Sequence, residues 1–69
     1  MSSDETIHDL PAGIGRPATG ALAEAGYTRL EQLSQVRAKD LLALHGVGPK
    51  AIGILRQALA DRGLSFKDG

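Results

Sequence analysis

The sequence predicts an all-α fold, a compact bundle of about five short helices, and three observations carry that expectation. The apolar residues are mostly Leu and Ala, which favour helix. Aromatics are nearly absent, with only Tyr27 and Phe66, whereas strands draw on aromatic and β-branched side chains. Apolar residues recur at helical spacing, most clearly Ile52, Leu55 and Leu59, and Gly and Pro cut the chain into short pieces.

Residues 1–9 read as a flexible acidic leader or a short first helix, with Ser2 or Ser3 as its cap. Residues 10–69 read as one domain. One or two helical turns over residues 6–10 are expected to stop at Pro11, because the residue before a proline avoids the α region. Pro11-Ala12-Gly13-Ile14-Gly15 is a tight connection. A helix resumes near Arg16, tolerates Pro17 in its first turn, and runs through Ala18, Ala21, Leu22 and Ala25 to a stop at Gly26. Thr28 reads as an N-cap, with Glu31 three positions on completing a capping box. The helix it opens carries Leu30 and Leu33 and ends near Val36. A fourth helix holds Leu41, Leu42 and Leu44. Gly46-Val47-Gly48-Pro49 breaks the chain again. The last helix then covers about residues 49–62 until Gly63, and Leu64 and Phe66 fold back onto the core.

Composition excludes several functions. At 69 residues the chain is one domain with a small core. It has no cysteine, so disulfides and thiolate metal sites are out. No apolar run approaches the ~20 residues that cross a bilayer. The polar, acidic start is wrong for a signal peptide, and a cytoplasmic setting is expected. Two aromatics are too few for the stacking platforms that hold single strands. Net charge is zero but uneven. Residues 12–67 hold eight basic side chains (Arg16, Arg29, Arg37, Lys39, Lys50, Arg56, Arg62, Lys67) against four acidic ones (Glu24, Glu31, Asp40, Asp61), a surplus of four behind Asp4, Glu5 and Asp9. That is a modest basic bias, below the footprint of a tight nucleic-acid binder.

A repeat is the informative feature. Gly13-Ile14-Gly15-Arg16-Pro17-Ala18 recurs as Gly46-Val47-Gly48-Pro49-Lys50-Ala51, displaced by 33, and Gly20, Leu22 and Ala25 match Gly53, Leu55 and Ala58. In each copy the central Ile14 or Val47 is expected to point inward and anchor the turn. The glycines leave main chain at the surface without side chains. A helix starts immediately after, so its unpaired N–H groups and positive dipole end face outward, an arrangement suited to phosphate. Ala18 and Ala51 are small enough to let the helices of each unit approach closely. Candidate anion-binding residues are therefore Gly13, Gly15, Arg16, Gly46, Gly48 and Lys50, with Arg16 and Lys50 as positioning contacts that carry no sequence information.

Leu44-His45-Gly46-Val47-Gly48-Pro49-Lys50-Ala51 resembles a helix-hairpin-helix motif, found in many proteins that bind DNA without reading its sequence. Two copies in tandem resemble the compact SAM-like five-helix domain formed by paired motifs. About residues 10–66, and especially Leu59-Ala60-Asp61-Arg62-Gly63-Leu64-Ser65, are similar to the C-terminal domain of the bacterial RNA polymerase alpha subunit. A looser likeness, through Ala25-Gly26-Tyr27-Thr28 and the first turn, runs to the N-terminal domains of strand-exchange recombinases. The resemblance implies double-stranded DNA as partner. It also implies an alternative, docking to a polymerase or repair protein, which the neutral net charge and acidic leader favour. The family often holds a monovalent cation on hairpin carbonyls; no other cofactor and no small-molecule substrate is expected.

The departures bear on specificity. The polymerase domain's DNA-facing arginine and asparagine fall at Pro17 and Gly20, so neither is retained, although Arg16 adjoins the first. Its glycine and lysine correspond to Gly48 and Lys50, and its following serine is Ala51. Ala12 adds one residue to the first turn and is expected to distort it. Helix-hairpin-helix glycosylases use a hairpin lysine and a later aspartate, to which Lys50 and Asp68 compare. Those enzymes need a larger body to house an extruded base, and no enzymatic role is expected. His45 is expected to be half-buried and hydrogen-bonded, and His8 solvated. The two are far apart in sequence and give no zinc-type ligand set.

Overall fold

Helix α4, Pro49–Asp61, is the element on which the rest is packed. Its Ala51, Ile52, Leu55 and Leu59 are all buried and form one inward stripe. The computed structural model describes residues 9–68. A 3-10 turn at Ala12–Ile14 and the short helices α2 (Leu30–Leu33) and α3 (Ala38–Leu42) pack against α4, while α1 (Gly15–Glu24) packs on the 3-10 turn. No strand occurs among the described residues. The radius of gyration is 11.2 Å, against about 11 Å for a compact chain of this length. No helix among the described residues is long and apolar enough to cross a membrane.

Six large side chains are fully enclosed: Leu22, Leu33, Leu41, Leu55, Leu59 and Phe66. Every helix and the C-terminal tail thus supplies at least one. Each is worth about 1.5–3 kcal/mol of apolar burial. Phe66 folds back as expected, and its ring lies under the Arg56 guanidinium at 5.4 Å.

Helices α1 and α4 stop at the expected glycines, by one device. After α1, Tyr27 N–H donates to the Leu22 carbonyl at 2.7 Å and Gly26 N–H to that of Ala23 at 3.0 Å. After α4, Leu64 N–H donates to Leu59 at 2.8 Å and Gly63 N–H to Ala60 at 2.9 Å. These are the paired bonds of a Schellman ending, which satisfy carbonyls the helix leaves open.

Helix starts depart from expectation. The Thr28–Glu31 capping box is displaced by one residue: Arg29 sits at the N-cap, and Gln32 Oε1 accepts the N–H groups of Thr28 at 2.8 Å and Arg29 at 2.9 Å. An arginine side chain carries no acceptor, so the cap is borrowed. Asp9 Oδ1 accepts Leu30 N–H at 2.7 Å. Asp9 also donates its own N–H to the Thr28 carbonyl at 3.1 Å, and its Oδ2 lies 3.3 Å from Arg62.

Helix α3 borrows its cap in the same way, from the other end of the chain. Asp68 Oδ1 accepts Ala38 N–H at 2.9 Å, beside a Lys67 N–H to Val36 carbonyl bond of 2.8 Å. The Ala38 N–H above all, then those of Lys39 and Asp68 itself, with the Arg56 charge behind them, hold the Asp68 carboxyl below its ordinary value against a smaller opposing effect of burial. A depressed folded pKa stabilises fully above the unfolded value of about 3.9, and that stability is lost as pH falls through the lower folded value. Asp68→Asn keeps an acceptor but removes the titration. The variant is expected to lose less melting temperature than the wild type between about pH 6 and about pH 2.5. Equal losses in calorimetry would contradict the cap.

The expected count of five helices is not confirmed. Four α-helices and one 3-10 turn are present among the described residues. The first expected helix, over residues 6–10, lies mostly outside them, and Asp9 and Leu10 are not helical. Asp9 is committed to α2 instead, and Pro11 follows in extended geometry at φ −65°, ψ 139°. The segment expected to run to Val36 is α-helical only to Leu33 and continues by i to i−3 bonds, such as Val36 N–H to the Leu33 carbonyl at 3.1 Å.

Candidate nucleic-acid interface

The two glycine turns share chemistry but differ in backbone. In the first, Ile14 N–H donates to the Pro11 carbonyl at 3.4 Å and Gly15 N–H to that of Ala12. Gly15 then takes φ 87°, ψ 163°, a conformation reserved for glycine. In the second, Val47 N–H donates to the Leu44 carbonyl at 3.2 Å. There the positive φ falls on the first glycine, Gly46 at 97°, and Gly48 is extended at φ −115°, ψ 179°. The added Ala12 lets the first turn close as a 3-10 helix, which is the distortion anticipated from its length.

The anchors behave as expected. Ile14 and Val47 are 8% and 6% exposed, and Ala18 and Ala51 are 1% and 6% exposed. Gly13, Arg16, Gly46 and Lys50 are exposed, while Gly15 and Gly48 are half-buried. Each turn leans on the helix that follows the other turn. A Cβ at Gly13 would lie 3.5 Å from Ile54 Cδ1 of α4, and one at Gly46 would lie 2.9 Å from the Pro17 carbonyl oxygen of α1. The second turn therefore lies against the start of α1, and the first against the second helical turn of α4.

The donors follow from the prolines. The first N–H groups of a helix have no partner within it, and Pro17 and Pro49 each remove one. In α1 that leaves Arg16, because Ala18 stands four residues after the N-cap Ile14, where the first helical bond forms. In α4 they are Lys50 and Ala51, since Ile52 is the first to reach a helical acceptor, Gly48 C=O at 3.0 Å. In both turns a cationic residue thus carries one of the open amides. The order is swapped, however: Arg16 precedes its proline and Lys50 follows its own. Gly15 needs correction as a donor, because its amide is spent on Ala12; its contribution is the lack of a side chain. Gly48 N–H has no hydrogen bond among the described residues.

The side chains of Arg16 and Lys50 take part in no hydrogen bond or ion pair among the described residues. Three other cations are engaged, Arg62 with Asp9, Arg29 with Glu31 at 4.0 Å, and Arg56 with the Phe66 ring, while the side chains of Arg37, Lys39 and Lys67 have no such partner among the described residues. One further expectation changes. His45 is exposed rather than half-buried and lines a shallow depression of about 300 Å³ with Ala21, Glu24, Ala25 and Leu44. Asp68, compared above with a catalytic aspartate, has its carboxylate engaged on Ala38. No three of His, Asp and Glu converge to hold a metal among the described residues.

Fold and site together define a small helical protein with two glycine turns, each opening a helix and each lying against the helix that follows the other. Comparison with protein-family models, with curated proteins and with solved structures finds no match to this chain. Sequence reasoning missed the Pro17 carbonyl as the seat of Gly46, a main-chain contact that side-chain identity does not encode. It also missed Asp9 and Asp68 as caps, since the helix ends they serve are 21 and 30 residues away.

Proposed function

We propose that this chain binds double-stranded DNA through its phosphates, without reading base sequence, using two helix-hairpin-helix units. One observation carries the reading: Gly46 rests on the first turn of α1, so the turn that opens α4 is packed on the helix that the first turn opens. Exposed Arg16 and Lys50 add charge beside their open amides. Gly13, Gly46 and Gly48 present main chain, and Gly15 keeps the first turn clear. No catalytic step belongs to this reading, and its setting is the cytoplasm.

With two to four phosphate contacts, log K is expected to fall by about 0.9 per contact per decade of salt. Lys50→Glu is expected to weaken duplex binding about tenfold and to lower that slope by about one. The check is a titration with a short labelled duplex at low and moderate salt, with amide shifts followed by NMR. Shifts that stay still at Gly13, Arg16, Gly46, Gly48 and Lys50 would count against the reading.

A second reading is docking to a polymerase or repair protein. The depression beside His45 and the zero net charge favour it. Capture of such a partner, together with no duplex binding at low salt, selects this reading over the first.

A further inference from the structure

We infer that Gly46 is the spacer that sets the separation of the two turns and joins them into one bidentate phosphate site. The inference rests on the DNA-binding reading and adds a positioning residue to it. At Gly46 a Cβ would meet the Pro17 carbonyl oxygen at 2.9 Å, its carbonyl carbon at 3.3 Å and its Cβ at 3.5 Å. The first two atoms are helical main chain in the opening turn of α1, so they cannot swing aside as a flexible side chain would. Any side chain at position 46 therefore pushes the second turn away from the start of α1. Phosphates along a duplex are spaced by the nucleic acid, so both turns engage one molecule only at a matching separation. Linked sites gain affinity from that match and lose it when geometry forbids joint contact.

Gly26 supplies the control. Its φ is 98°, against 97° for Gly46, but nothing lies within 4 Å of where its Cβ would be. Gly26→Ala therefore carries the same backbone cost without the collision.

The test titrates wild type, Gly26→Ala and Gly46→Ala with a short labelled duplex at several salt concentrations, with circular dichroism on each. Gly26→Ala is expected to keep the wild-type salt slope. Gly46→Ala is expected to lose about half of that slope and about tenfold in affinity at low salt, as one turn disengages. Gly46→Asn carries the same Cβ on a residue type that tolerates positive φ, and gives the same reading should the alanine variant unfold. On the unmodified chain, the Arg16 and Lys50 amides should follow a single binding curve. A folded Gly46 variant with the wild-type slope, or two separate midpoints on the wild type, overturns the inference and leaves duplex binding standing. A wild type that fails to bind duplex at low salt overturns both.

Discussion

Phe66→Ala is expected to lower stability by about 3–5 kcal/mol. The ring is 2% exposed and is the largest fully enclosed side chain. A chain of this length has in total only about 3–10 kcal/mol, so the variant should lose a third of that or more. The loss extends beyond the cavity. Phe66 immediately precedes Lys67 and Asp68, whose bonds to Val36 and Ala38 close the start of α3. Without the ring that clasp has only two surface hydrogen bonds, each worth about 1 kcal/mol net. The Arg56 contact with the ring goes as well. Urea unfolding measures the effect, and a loss below about 1 kcal/mol would mean that the tail does not seal the core.

Much of this architecture was legible in the residues because local rules decide it. Gly26 and Gly63 ended helices where their neighbours' apolar spacing ran out. Ile14 and Val47 sat between glycines and had to turn inward, since no other side chain was available to anchor those turns. Leu22 and Leu55 shared a place in the repeat and share a place in the core. What was not legible depends on partners distant in sequence. Thr28 carried a plausible local cap, but Asp9 outcompeted it with a carboxylate, a stronger acceptor for a helix N–H. His45 was expected to be half-buried from its place before a turn, yet no element covers it. The inequality of the two turns was visible as one added residue, Ala12. Its consequence, the loss of Gly15 as a donor, required the path of the backbone.

Leu22→Ala and Leu55→Ala, the pair related by the repeat, are each expected to cost about 2–5 kcal/mol. Both are 0% exposed, and α1 and α4 hold one apiece. The range reflects how far each site can collapse around the lost atoms. Leu55 should lie at the upper end, because α4 packs on the 3-10 turn, α2 and α3 at once, and movement there disturbs three neighbours. Leu22 should lie lower, because α1 packs chiefly on the 3-10 turn. The double variant loses about 4–10 kcal/mol, comparable to the whole stability of the chain, and should have the lowest unfolding midpoint of the three. The functional consequence separates the two single variants. Gly13 of the first turn leans on Ile54, next to Leu55, whereas Gly46 of the second leans on Pro17 at the start of α1. A shift of α4 therefore moves the first turn as well as the second, which α4 itself follows. At a temperature where both single variants remain folded, Leu55→Ala should weaken duplex binding more than Leu22→Ala. Equal binding by the two would mean that the turns hold their geometry independently of the helix beneath them.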